Sequence, residues 1–109
     1  MATYQTDLPA IFGALSDQTR FAVVERLARG PAAVSELAEP FPMAGPSFLK
    51  HLKVLEQAGL IKSSKLGRVR TVQLAPESMR SVEDWIRAHR STWEKRLDML
   101  GQFLERDTQ

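Results

Sequence analysis

Residues 45–74 read GPSFLKHLKVLEQAGLIKSSKLGRVRTVQL, and the spacing of their apolar residues changes partway along. Over 45–58 the apolar residues recur at i, i+4 and i+7, the period of one helix face, and they are Phe48, Leu52 and Leu55. Over 61–74 two short runs rich in valine, isoleucine and threonine flank Gly67, which is typical of a β-hairpin. We therefore predict a helix over 45–58 that is followed at once by a hairpin over 61–74.

The residues before this segment predict three more helices. Asp7 precedes a helix over 8–15 as its N-cap, and Asp17 takes the same place before a second helix, which Gly30 ends. A short third helix, a turn and the helix described above form a helix-turn-helix over 34–58. With the hairpin that follows, the pattern predicts a mainly α fold, a winged helix-turn-helix with a two-stranded wing.

After the hairpin, residues 77–104 return to a helical pattern with a long apolar stripe. The stripe consists of Val82, Trp85, Ile86, His89, Trp93, Leu97, Leu100, Phe103 and Leu104. The helix over 8–15 carries a second stripe, formed by Leu8, Ile11, Phe12 and Leu15. Because these stripes exceed what one small domain needs, we predict that both helices pack across the two-fold axis of a homodimer. The alternative is that the long stripe folds back on the core of its own chain, as we expect for the part near Val82.

Length and composition exclude several classes of protein. The 109 residues predict one domain, 1–109. The chain has no cysteine, which excludes disulfides, thiolate metal sites and cysteine nucleophiles. It has no apolar run of membrane-spanning length and no secretory leader pattern, so we expect a cytoplasmic protein without a membrane partner. Phosphate-binding glycine loops and the common hydrolase motifs are missing too, so we expect neither an enzyme nor a cofactor.

Positive charge is concentrated in one part of the chain. The net charge is only +2, but residues 50–70 hold six basic residues and one acid, a local charge of +5. Residues 1–49 carry −2 and residues 71–109 carry −1. A basic segment in a nearly neutral chain indicates a binding site for a polyanion, although a solvated basic face without a partner remains the alternative.

The basic segment supplies candidate contacts with double-stranded DNA. Opposite its apolar face, the helix over 45–58 carries cations and small polar groups that suit phosphates and base edges in a major groove. The hairpin tip carries cations that fit a narrow minor groove or its phosphates. The predicted contacts are Gly45, Pro46, Ser47, Lys50, His51, Lys53, Lys65, Arg68 and Arg70. For His51, a packing role and a phosphate hydrogen bond both remain open.

Other interpretations of these residues are also open. The helix could be an ordinary amphipathic surface helix, and the cations of the hairpin could only prevent edge-to-edge aggregation. A winged helix could also use this surface to bind a protein without sequence-specific DNA binding. A protein-binding surface should present apolar anchors, whereas Lys50 and Lys53 favour DNA.

Four segments resemble the ArsR family of bacterial winged-helix repressors. They are LSDQTR at 15–20, VSELA at 34–38, FLKHLKVLEQAGLI at 48–61 and the wing pair Gly67-Arg68. The resemblance covers residues 8–75. It implies a homodimeric repressor that binds an inverted repeat and is released by a signal, which could be a small molecule or another inducer.

Departures from the family pattern narrow that expectation. Ala44 and Gly45 stand where the family often has Ser-Gln, so a side-chain N-cap is missing. The best-known members sense metals through cysteines, or through paired Asp/His and His/Glu ligands on the C-terminal helix. Here that helix has only His89, with Asp84 five residues before it, and this spacing does not match. The resemblance therefore supports DNA binding and predicts no metal site.

Overall fold

The computed structural model describes residues 7–107 and is mainly helical. The elements are, in chain order, α1 (Leu8–Leu15), α2 (Gln18–Leu27), β1 (Ala32–Ala33), α3 (Val34–Ala38), α4 (Gly45–Gln57), β2 (Ile61–Leu66), β3 (Val69–Leu74) and α5 (Pro76–Asp107). This order confirms the predicted winged helix-turn-helix, in which α3 and α4 are the helix-turn-helix pair. The described residues form two compact units, one that ends at Met79 and one that begins at Arg80.

Aspartate side chains begin the first two helices, as predicted. The Asp7 carboxylate accepts a hydrogen bond from the backbone N–H of Ala10 at 3.2 Å. The Asp17 carboxylate accepts one from the backbone N–H of Arg20 at 3.0 Å. Each bond satisfies one of the donors that the first turn of a helix leaves without an intrahelical partner. The aspartates therefore determine where α1 and α2 start.

The wing is part of a three-stranded antiparallel sheet with the order β1-β3-β2. The predicted hairpin is present, with Leu66 opposite Val69 at its tip. Gly67 has a φ of +64° and the next residue has a negative φ, the pattern of a type II′ turn. The expected two strands gain a third, because Ala32 of β1 pairs with Val72 of β3. Two alanines are too short a run to show a strand period.

The core of the first unit lies between α1, α2, α4 and the sheet. Its most fully buried large side chains are Phe48, Ile11, Leu55, Leu60, Val23 and Val72. The predicted apolar face of α4 is buried as expected. Ile11 corrects one expectation: we predicted it at a dimer interface, but its side chain is 0% exposed because it packs in the core of its own protomer. The ring of Phe41 stacks on Phe48 at 5.5 Å and so attaches the α3–α4 turn to this core.

Short contacts join the end of α4 to the start of the wing and to the first turn of α5. The buried hydroxyl of Ser78 donates a hydrogen bond to the carbonyl of Gly59. The backbone N–H of Ala75 donates to the carbonyl of Leu60 at 2.8 Å. Gly59 has a φ of +79°, and a Cβ there would lie 3.1 Å from the Ser78 hydroxyl. Glycine therefore allows the chain to turn sharply out of α4 into β2.

Helix α5 contains 32 residues, which at 1.5 Å per residue makes it about 48 Å long. It begins at Pro76, one residue before the predicted start, and continues to Asp107, three residues beyond the predicted end. The second unit consists of this helix from Arg80 onwards. Most of its apolar stripe is exposed in the single chain, including Trp85, Ile86, Trp93, Leu97, Leu100, Phe103 and Leu104. None of the helices within residues 7–107 combines the length and apolar character needed to cross a membrane.

Candidate nucleic-acid interface

Helix α4 separates an apolar face from a polar face. Phe48, Leu52 and Leu55 are buried against the core of the first unit. The opposite face is exposed and contains five of the predicted DNA contacts, namely Gly45, Pro46, Ser47, Lys50 and Lys53. The folding that buries the apolar face therefore also presents these groups to solvent.

The N-terminus of α4 offers backbone donors to an anion. Its N-cap is Ala44, which has no side-chain acceptor, and the first backbone bond within the helix runs from the Phe48 N–H to the Ala44 carbonyl at 3.1 Å. The N–H groups of Gly45 and Ser47 precede that bond, and Pro46 has no N–H. Uncapped donors at the positive end of a helix suit a phosphate oxygen.

The hairpin brings two cations directly opposite each other. Lys65 on β2 pairs in register with Arg70 on β3, and both side chains are exposed. Opposed residues of an antiparallel pair have Cβ atoms about 5 Å apart, and like charges at such positions destabilise the sheet. Arg68 adds a third exposed cation at the turn. A bound polyanion would relieve this repulsion.

A groove of about 250 Å³ separates α4 from the hairpin. It is lined by Leu49, Leu52, Lys53, Glu56, Ile61, Ser63, Arg70 and Val72. Lys53 comes from the helix and Arg70 from the wing, so the groove joins the two basic elements into one continuous surface. We call this surface, formed by α4 and the β2–β3 hairpin, the basic face.

His51 is placed differently from the other predicted contacts. It is half-buried, whereas the other eight predicted DNA contacts are exposed. Its Nδ1 lies 3.1 Å from Nη1 of Arg20 and 3.7 Å from Oδ2 of Asp17. The structure thus favours the packing role for His51. Nothing in the sequence linked Arg20 to His51, because 31 residues separate them and neither pattern nor spacing connects them.

The environment of Asp17 lowers the pKa of its carboxyl group. The main cause is the hydrogen bond from the Arg20 backbone N–H, and the positive charge of the Arg20 guanidinium adds to it, while partial burial opposes it. A carboxyl group with a lowered pKa in the folded state stabilises the fold above its unfolded-state pKa. That contribution disappears as the pH falls through the folded-state pKa.

We expect Asp17→Asn to reduce the acid sensitivity of folding. Asparagine can still cap α2 but has no carboxyl group to protonate. The melting temperature of the wild type should therefore fall more than that of the variant as the pH is lowered from about 5 to about 2, the range that spans the unfolded-state pKa and the lower folded-state pKa. Thermal melts followed by circular dichroism measure both. Equal falls in the two proteins would contradict this role for Asp17.

Metal binding was predicted to be absent. Within residues 7–107, no three histidine, aspartate or glutamate side chains lie close enough together to hold a metal ion. The absence of a metal-dependent signal stays a prediction.

Comparison with known proteins identifies the family. Residues 15–64 match the model of a helix-turn-helix domain. The chain is 42% identical over 93 residues to the HTH-type transcriptional regulator Rv2034 of Mycobacterium tuberculosis, an alignment that covers 81% of this chain and 86% of that protein. It is 34% identical over 58 residues to the transcriptional repressor SdpR of Bacillus subtilis, covering 53% of this chain and 64% of that protein.

A solved structure agrees with this assignment. The crystal structure of the ArsR family transcriptional regulator RHA00566 matches with a TM-score of 0.76 and 53% identity, and the match covers 80% of this chain and 96% of that one. These relatives are named as transcriptional regulators, which are not enzymes, as we predicted. The resemblance found in the sequence is confirmed: the chain belongs to the ArsR family of helix-turn-helix transcriptional regulators.

Proposed function

We propose that this regulator is a homodimeric repressor that binds an inverted-repeat operator in double-stranded DNA through its basic face. The observation that carries the proposal is the placement of the basic segment. The six cations of residues 50–70 lie on α4 and the hairpin, two adjacent elements joined by the groove. One of the relatives is named as a repressor, which supports this direction of regulation.

In this proposal, α4 enters the major groove and the hairpin follows the neighbouring phosphates. The backbone donors of Gly45 and Ser47 hold a phosphate at the start of the helix. Lys50 and Lys53 lie further along the same exposed face, and Arg68 extends from the wing tip. Phosphate contacts determine the register of the protein on the duplex, and contacts with base edges discriminate between sequences.

Two protomers are required for the proposed mode of binding. The exposed stripe of α5 supports dimerisation, together with Phe12 of α1, which is 39% exposed. A two-fold axis places two α4 helices about 34–36 Å apart, one turn of DNA, so that each reads one half of an inverted repeat. The dimer therefore converts two weak half-site contacts into one specific complex.

The function is tested by selecting duplexes from a random-sequence pool with the purified wild-type protein. We expect enrichment of an inverted repeat with half-sites about one turn apart. Its affinity in an electrophoretic shift should exceed that of an unselected duplex by about a thousandfold or more. Failure to enrich any sequence would contradict the proposal.

One observation favours a second candidate, a winged helix that binds a protein. Leu66 is 85% exposed and Val69 is 53% exposed, so the hairpin tip presents two apolar side chains among its cations. Apolar side chains can anchor a protein partner. Changing both residues to serine should leave duplex binding nearly unchanged if the basic face binds DNA through its cations.

Among the polar groups of α4, Ser47 is our candidate for base readout. Its hydroxyl can donate or accept, so we expect modest discrimination, and Ser47→Ala should lower affinity for the selected duplex by about tenfold. Affinity for the unselected duplex should change less. Titrations of both duplexes by fluorescence anisotropy measure the two effects. Equal losses on both duplexes would instead identify Ser47 as a phosphate contact.

A further inference from the structure

We infer that Arg20 is a positioning residue, which clamps α4 to the C-terminal end of α1 and so sets the angle at which α4 meets DNA. The inference rests on the proposed function, in which α4 reads the duplex. Arg20 itself lies on α2 and is outside the basic face. Its role is to connect the helix proposed to dimerise with the helix proposed to read DNA.

The guanidinium of Arg20 contacts two other helices. Its Nε donates a hydrogen bond to the carbonyl of Ala14 at 2.8 Å, and Nη2 donates to the carbonyl of Gly13 at 3.5 Å. Both carbonyls belong to the last turn of α1. Its Nη1 donates to Nδ1 of His51 on α4 at 3.1 Å. A single side chain therefore bridges α1 and α4.

The backbone of Arg20 is held as well. Its N–H donates to the carboxylate of Asp17 at 3.0 Å, the cap that begins α2. The guanidinium is part-buried, so its bonds to Ala14 and His51 are shielded from competing water. Hydrogen bonds of a charged donor are stronger than those between neutral groups. Arg20 is thus fixed at both its backbone and its side chain.

The contact requires a particular form of His51. A guanidinium has donors and no acceptor, so Nδ1 must be the unprotonated nitrogen of the ring. His51 follows Lys50 and lies one turn after Ser47, so fixing its ring constrains the rotation of the face that carries those two residues. Apolar packing of Phe48, Leu52 and Leu55 resists separation of α4 from the core, but it is not directional. The hydrogen bond between Arg20 and His51 is directional, so it restricts the rotation of α4 on the core.

The contacts of Arg20 also connect the proposed dimer interface on α1 with α4. Phe12 and Leu15 of the proposed dimer contact lie on either side of the carbonyls that Arg20 binds. A shift of α1 in the dimer would move Gly13 and Ala14, and Arg20 would transfer that movement to His51. The bridge through Arg20 adds a hydrogen-bonded connection to the direct packing of α1 on α4 in the core, and it can be removed from either end.

The test compares four variants, Arg20→Ala, His51→Leu, the double variant and His51→Asn. The readout is the ratio of affinities for the selected and the unselected duplex. Arg20→Ala and His51→Leu should each lower the ratio by about tenfold, the scale of one charge-assisted hydrogen bond. The double variant should lose no more than either single variant, because both remove the same contact. His51→Asn should keep the wild-type ratio, since its side-chain oxygen can accept from Arg20.

A second measurement in the absence of DNA separates the clamp from the proposed function. Amide hydrogen exchange over residues 45–57 should be faster in Arg20→Ala and His51→Leu, and unchanged in His51→Asn. If Arg20→Ala does not fold, the two His51 variants decide the matter. Wild-type exchange in His51→Leu, or failure of His51→Asn to rescue, would overturn the clamp. If hydrogen exchange in the variants changes as expected but the wild-type protein enriches no duplex, the clamp is supported and the proposed function has failed.

Discussion

Trp93→Glu and Leu97→Glu should each convert the proposed dimer to a monomer and nearly abolish binding to the selected duplex. Both residues lie on the apolar stripe of α5, where they are 60% and 58% exposed in the single chain. In the proposed dimer these side chains are covered by the partner. A glutamate there would place an unpaired carboxylate in an apolar contact, which costs several kcal/mol.

The effect on DNA binding follows from the loss of the second half-site contact. Linking two binding modules raises affinity by about 10²- to 10⁴-fold, so a monomer should lose about that much. The basic face is unchanged in both variants, and the weak, sequence-independent affinity of each protomer should therefore remain. Sedimentation velocity reports the oligomeric state, and anisotropy titration with the selected duplex reports the affinity.

Ser91→Glu is the matched control for charge. It adds the same negative charge to the same helix, on the polar side of the wheel two residues from Trp93. We expect this variant to remain dimeric and to bind the duplex nearly as the wild type does. A dimeric Trp93→Glu protein, or a monomeric wild type that still binds its inverted repeat tightly, would refute the proposed interface.

Local signals made most of the fold predictable. Asp7 and Asp17 marked helix starts because an N-cap carboxylate accepts a hydrogen bond from the free backbone N–H two or three residues further along. Gly67 marked the wing turn because a positive φ at the first turn position favours glycine. The spacing within α4 showed which face would be buried. Each of these features depends on residues close together in the chain.

Features that depend on distant residues were not predictable. Strand β1 exists because Ala32 meets Val72, forty residues later, and two alanines alone favour no strand. The periodicity of α1 showed an apolar stripe, but it could not show which residues of the stripe pack inside the protomer and which remain available to a partner. The structure makes this division, burying Ile11 in the protomer and leaving Phe12 partly exposed.

The same limit applies to the candidate site. Sequence patterns identified the exposed cations, because surface charge needs no partner to be recognised. They could not show that His51 faces Arg20, since that contact requires α2 and α4 to be packed together. Pro76 is a similar case. The helical pattern predicted a start at residue 77, whereas Pro76 is the first residue of α5, where its missing N–H costs nothing.

Lys50→Ala combined with Arg68→Ala should weaken DNA binding and also flatten its salt dependence. Each phosphate neutralised by a cation releases counterions, and log affinity falls with log salt by about 0.9 per contact. If Lys50, Lys53, Arg68 and Arg70 each contact one phosphate, the dimer makes eight such contacts. The expected slope is then about −7 for the wild type and about −3.6 for the double variant.

The slope distinguishes direct contact from a general effect of charge. Arg29→Ala combined with Arg90→Ala removes the same formal charge from exposed positions outside the basic face. It should lower affinity slightly and leave the slope near the wild-type value, because neither residue is proposed to neutralise a phosphate. Titrations at a series of salt concentrations, with the selected duplex, give all three slopes. If the two double variants had equal slopes, α4 and the wing would not be the surface that holds the DNA backbone.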